Sequence, residues 1–77
     1  MITTYPQIGG TTTIRTDGSA VHLVAAVPQS GFQVDVEKSG PQEVDVRYRS
    51  EGHTSRLKAE WENGKLEVET SESNEDD

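Results

Sequence analysis

The side chains that could do chemistry in this chain are few: two histidines, fourteen carboxylates, seven basic groups and no cysteine. Disulfides, thiolate zinc sites and catalytic thiols are therefore excluded. His22 stands in an apolar stretch and His53 in a polar turn, with no HxH or HExxH spacing and no adjacent acidic triad. A metal site including Asp17, His53 or Glu51 lacks the clustering such sites use, so both histidines are read as packing or surface residues and no metal ligand is assigned. Nucleophilic catalysis needs a hydroxyl beside a general base. The serines at 19, 30, 39, 50, 55, 71 and 73 fall in turns, strand ends or the tail, with no G-x-S-x-G elbow. Asp35 and Asp45 could face each other across strands, but on an open sheet face they would stay solvated and untuned. Gly9-Gly10 lacks the spacing of a phosphate loop. No catalytic residue and no cofactor is expected, and the chain reads as a non-enzyme.

The more suggestive group is basic. Arg47, Arg49, Arg56 and Lys58 fall on neighbouring extended segments joined by the turn at Ser50–His53, and they point to one side. They make a local positive spot in an acidic chain. Cross-strand pairing with Asp35, Glu37, Glu67 and Glu69 would account for them structurally. Recognition of an acidic protein partner would account for them functionally, and these four are the candidate partner-binding residues.

What positions them is a run of short strands. From residue 11 to residue 70 apolar and polar side chains alternate, and turn residues interrupt the alternation every ten residues or so. The clearest unit is the hairpin from Leu57 to Val68 around Asn63-Gly64, a pair suited to a two-residue type I′ turn. Asp17-Gly18 supplies a second break, and Pro28–Gly31, Lys38–Pro41 and Ser50–His53 supply longer ones. Six strands result, near residues 11–16, 20–27, 32–37, 43–49, 54–62 and 65–70. Helical periodicity is absent.

On the period of two, Phe32, Val34 and Val36 share a face, as do Val44, Val46 and Tyr48, then Leu57, Ala59 and Trp61, then Leu66 and Val68. These are the expected core, which makes Trp61 and Tyr48 packing residues rather than a sugar-stacking platform. Tyr5 is the more exposed aromatic. The segment Val21–Val27 is apolar on both faces and reads as central or doubly covered. An apolar sheet face must be buried, so the fold class is all-β: a six-stranded antiparallel meander folded into a small sandwich or partly open barrel. The expected organisation is an N-terminal arm over 1–10, a single β-domain over 11–70 and a disordered acidic tail over 71–77.

Composition limits the partners. The net charge is −7, and four of the fourteen acids lie in the last seven residues, leaving 10 acids against 7 bases through residue 70. Binding to nucleic acid or anionic lipid by counterion release needs clustered cationic excess, so nucleic acid is not an expected partner. The longest apolar run, Leu23–Val27, is far below the roughly 20 residues that span a bilayer, so no direct membrane insertion is expected. Met1–Tyr5 has no basic n-region or apolar h-region. The chain reads as cytoplasmic if it is full length and extracytoplasmic if it is a domain of something longer; its oligomeric state is left open.

The stretch from Ala26 to Val36, with Gly40-Pro41, Val44-Asp45-Val46-Arg47-Tyr48, His53, Leu57–Trp61 and Gly64–Val68, resembles a small β-domain recurring in uncharacterised actinobacterial proteins. The likeness covers about residues 11–70 and consists mostly of turn and core positions. It implies a shared fold and a terminal accessory module of a larger, envelope-associated protein, with no activity to carry over. The functional expectation is a non-enzymatic interaction domain acting through a charged sheet face or a strand edge; the alternative is an extracytoplasmic ligand- or glycan-binding module.

Overall fold

The computed structural model describes residues 1–74 and is all-β. Seven antiparallel strands, β1 (Ile2–Pro6), β2 (Gly10–Thr16), β3 (Val21–Pro28), β4 (Gln33–Ser39), β5 (Glu43–Arg49), β6 (His53–Glu62) and β7 (Lys65–Asn74), form two sheets ordered β1-β2-β3 and β4-β5-β6-β7. Every pairing joins consecutive strands, so the meander expectation holds within each sheet, and the chain passes from one sheet to the other after Pro28 rather than closing a barrel.

Three expectations need correction. The arm at 1–10 contains a seventh strand, because Ile2–Pro6 pairs along its length with Thr11–Arg15. The tail expected to be disordered from Ser71 continues β7 through Asn74, and its last residues, 75–77, lie outside the described ones. The apolar segment Val21–Pro28 is not central but the edge strand of the three-stranded sheet. Val21 is fully buried and Leu23 and Ala26 pack on the core, whereas a bulge opposite Thr13/Ile14 leaves Val24 unpaired and 53% exposed. One extra residue shifts the side-chain alternation, which is why both faces of this strand read as apolar.

The core lies between the sheets. Ile14 and Val21 come from one side, and Val44, Val46, Tyr48, Leu57 and Ala59 from the other, with Phe32, Val34, Trp61, Leu66 and Val68 partly buried around them. Val36 departs from the expected core: β4 has a neighbour on one side only, a bulge follows at Glu37, and Val36 is half-exposed. At Asn63 and Gly64 both φ angles are positive, 54° and 75°, as a type I′ turn requires.

Tyr48 joins the two sheets. Its ring is fully buried, its Oη donates to the Thr11 carbonyl at 3.0 Å, and the equally buried Thr12 hydroxyl lies 2.7 Å from it. Burial pushes the Tyr48 phenol above its ordinary range. Gly9-Gly10 makes room for the ring: a Cβ on Gly10 would lie 2.5 Å from Tyr48 Cε1, and one on Gly9 would lie 2.8 Å from both Tyr48 Cβ and Phe32 Cδ2. The glycine pair serves close backbone approach.

Candidate functional site

The outward face of the four-stranded sheet is laid out by strand register. Asp35 on β4, Arg47 on β5, Arg56 on β6 and Ser71 on β7 stand side by side in one row across the sheet, and Gln33, Arg49, Thr54 and Ser73 make the next. On the other side of the arginine row, Asp45 stands opposite Lys58, which in turn faces Glu69. All four candidate residues, Arg47, Arg49, Arg56 and Lys58, are thus brought onto one face.

Their engagement differs. Arg56 holds Asp45 through two hydrogen bonds, Nε to Oδ1 at 3.1 Å and Nη2 to Oδ2 at 2.8 Å. Asp45 is only 5% exposed, and the Arg56 guanidinium, by hydrogen bonding before charge, keeps its carboxyl below the ordinary value. The expectation of a solvated, ordinary Asp45 is corrected accordingly: an outward carboxylate becomes buried when arginine stems lie across it. Arg49 pairs with Asp35, and Lys58 approaches Glu43 at 3.7 Å. Arg47 stands opposite Asp35 but makes no ion pair among the described residues, since Asp35 is taken by Arg49, and its buried Nε has no hydrogen-bond partner there. Like charges directly opposed are unfavourable in a sheet, and Arg47 faces Arg56. A shallow depression of about 320 Å³ lies over this row, lined by Arg47, Arg49, Thr54, Arg56, Ser71 and Ser73.

A second polar cluster joins the end of the β6–β7 hairpin to the β1–β2 connection. Glu72 accepts hydrogen bonds from Ser55 Oγ, from His53 Nε2 at 2.7 Å and from Gln7 Nε2 at 3.2 Å, and the Ile8 N–H also points to it. Ser55 Oγ accepts from the Gly9 N–H at 2.9 Å, and His53 Nδ1 lies 2.7 Å from Asn74 Oδ1. Serine, histidine and a carboxylate therefore meet, but the carboxylate sits between the other two. Ser55 is fully buried and makes no hydrogen bond to the imidazole, so the order needed to activate a nucleophile is not present. The chemistry available here is that of a clasp. Composition alone does not reveal it, because Glu72 reads as part of an acidic tail; counting the hairpin register outward from Asn63-Gly64 puts Glu72 opposite Ser55 and Asn74 opposite His53.

The clasp responds to pH in two directions. Hydrogen bonds to Glu72 first and Asn74 second raise the His53 pKa above its ordinary 6.5, and with both ring nitrogens facing oxygens the imidazolium satisfies both by donating twice. Burial alone would raise Glu72, but the bonds from Ser55, His53, Gln7 and Ile8 outweigh it and hold its pKa below 4.5. The raised His53 stabilises the fold fully below its unfolded value and loses that contribution as pH rises through its folded value. The lowered Glu72 contributes above its unfolded value and loses it as pH falls through its folded one. Glu72→Gln should therefore lower the melting temperature most between the ordinary values of 4.5 and 6.5, and less on either side. A loss independent of pH in melting curves would contradict the assignment.

Tyr5 and Trp61, the two aromatics considered for ligand stacking, are both partly buried against the core. His22 and His53 lie in different sheets: His22 pairs with Arg15 in the three-stranded sheet, while His53, on β6, packs edge-on to Phe32, 6.1 Å between ring centres. No family model, curated protein or solved structure matches this chain.

Proposed function

We propose that this chain is a non-enzymatic interaction domain that binds an acidic segment of a partner protein on the open face of its four-stranded sheet. Arg47, Arg49, Arg56 and Lys58 supply the positive charge. The observation that carries this reading is Arg47: a guanidinium at the centre of the face, beside two other arginines, with no ion-paired carboxylate among the described residues. The exposed Arg49–Asp35 pair beside it contributes only about 0.2–1 kcal/mol, so Arg49 can turn toward a competing carboxylate at small cost. A protein with net charge −7 keeps nonspecific polyanions away, so a small positive spot gives orientation rather than general stickiness. The role suits an accessory module, as the resemblance to the actinobacterial β-domain implies.

Mapping tests the face. Titrating the isotope-labelled protein with an Asp/Glu-rich peptide should move the backbone amides of β5, β6 and β7 around Arg47, Arg56 and Ser71 saturably, while a Lys-rich peptide of equal length should not. Shifts confined to the three-stranded sheet would place binding elsewhere and overturn the proposal.

A further inference from the structure

The depression over the arginines has a lining more particular than a basic patch. Arg47, Arg49 and Arg56 contribute three guanidinium groups and Thr54, Ser71 and Ser73 three hydroxyls; among the described residues no carboxylate lines it. Two of the guanidinium groups are engaged, Arg49 with Asp35 and Arg56 with Asp45, whereas Arg47 has no ion pair among the described residues. The donors come from three strands: Arg47 and Arg49 on β5, Thr54 and Arg56 on β6, Ser71 and Ser73 on β7. A planar carboxylate is satisfied by one guanidinium fork, whereas a tetrahedral group with three terminal oxygens uses donors arriving from several directions. From this we infer that the depression is a site for a phosphomonoester, carried on a side chain of the protein partner; the inference rests on the acidic-segment reading above and narrows it.

The charge balance supports that ligand. A phosphomonoester brings about −1.5 to −2 at neutral pH, more than one carboxylate, and would relieve the repulsion between the directly opposed Arg47 and Arg56. Beyond Arg56, the neighbouring rows turn acidic through Glu60, Glu67 and Glu69, which disfavours a continuous phosphate backbone.

The test uses the full chain and three probes: inorganic phosphate, a short Gly/Ser/Asp peptide with one central phosphoserine, and the same peptide with aspartate at that position. Each is titrated at constant ionic strength into wild type, Arg47→Gln and Ser73→Ala, with amide shifts as the readout. The phosphoserine peptide should bind about tenfold or more tightly than the aspartate peptide, as one or more added charged hydrogen bonds imply. Arg47→Gln should remove about tenfold or more of that affinity, and Ser73→Ala a smaller part, with amide dispersion retained in both. Equal affinity for the two peptides would overturn the phosphomonoester inference and leave the acidic-segment reading standing. Binding of neither peptide would overturn both. Saturable binding of inorganic phosphate without the phosphoserine peptide would overturn the assignment to a protein-borne group.

Discussion

Replacing Tyr48 with alanine is expected to cost about 3–5 kcal/mol, the usual price of deleting a buried aromatic, and to leave the domain largely unfolded at 37 °C. A small domain without disulfides has a stability near the lower end of about 5–15 kcal/mol. Tyr48 is where the two sheets meet: its ring rests on the Gly9-Gly10 backbone, and its hydroxyl bonds Thr11 and Thr12 of β2. Two further variants separate the contributions. Tyr48→Phe keeps the ring and leaves the buried Thr12 hydroxyl without this partner, which should cost about 1–3 kcal/mol. Gly10→Ala keeps every contact of the phenol but drives a Cβ into the ring and to 2.7 Å from the Val27 carbonyl, so it should cost about 1–3 kcal/mol or more. Chemical denaturation measures all three. If Tyr48→Ala unfolds at the wild-type denaturant concentration, Tyr48 does not join the sheets.

The second large effect separates two arginines that look alike in sequence. Arg56→Ser strips the guanidinium from Asp45, a carboxylate only 5% exposed. Losing one partner of a fully buried pair costs about 3–5 kcal/mol, and with Arg56 itself partly in solvent a cost of about 1–3 kcal/mol is expected. The pH dependence has a definite sign. Arg56 lowers the Asp45 pKa below its ordinary 3.8, so the pair's contribution is present above that value and disappears as pH falls through the folded pKa. The gap between wild type and Arg56→Ser should close in acid. Arg47→Ser removes a side chain that has no ion pair among the described residues and that opposes Arg56, so stability should change by no more than about 0.5 kcal/mol. Comparable losses in the two variants at neutral pH would contradict this division. It follows that a simultaneous replacement of all four basic residues confounds recognition with folding, and that Arg47 and Arg49 are the residues to vary.

Strand positions were legible where alternation was uninterrupted. The β6–β7 hairpin, its Asn63-Gly64 turn and the inward residues Val44, Val46, Tyr48, Leu57 and Ala59 follow directly from the period of two. Bulges are not legible in the sequence, because an added residue changes the facing of everything after it without changing composition, as at Val24; Val36 keeps its register with Val46 but lies on an edge strand that leaves it half-exposed. Ile2–Pro6 escaped notice because β1 is short and rich in threonine and proline, and it is held by pairing to β2 rather than by an apolar face of its own. Acidic and serine-rich residues 71–74 looked like a tail, yet register carried them along β6. For the candidate site, the sharing of one face by Arg47, Arg49, Arg56 and Lys58 was visible from spacing. Which of them were engaged was not, since ion pairing here runs diagonally: Asp35 stands opposite Arg47 and bonds Arg49, and Asp45 stands opposite Lys58 and bonds Arg56.

The most direct test of the central claim is calorimetric titration of an Asp/Glu-rich peptide into wild type and into the Arg47→Ser/Arg49→Ser double variant at two salt concentrations. The account predicts saturable binding by wild type that weakens with salt and falls by about tenfold or more in a double variant whose melting temperature is nearly unchanged. Equal affinity in the two proteins would contradict it, because binding would then not use the arginine face.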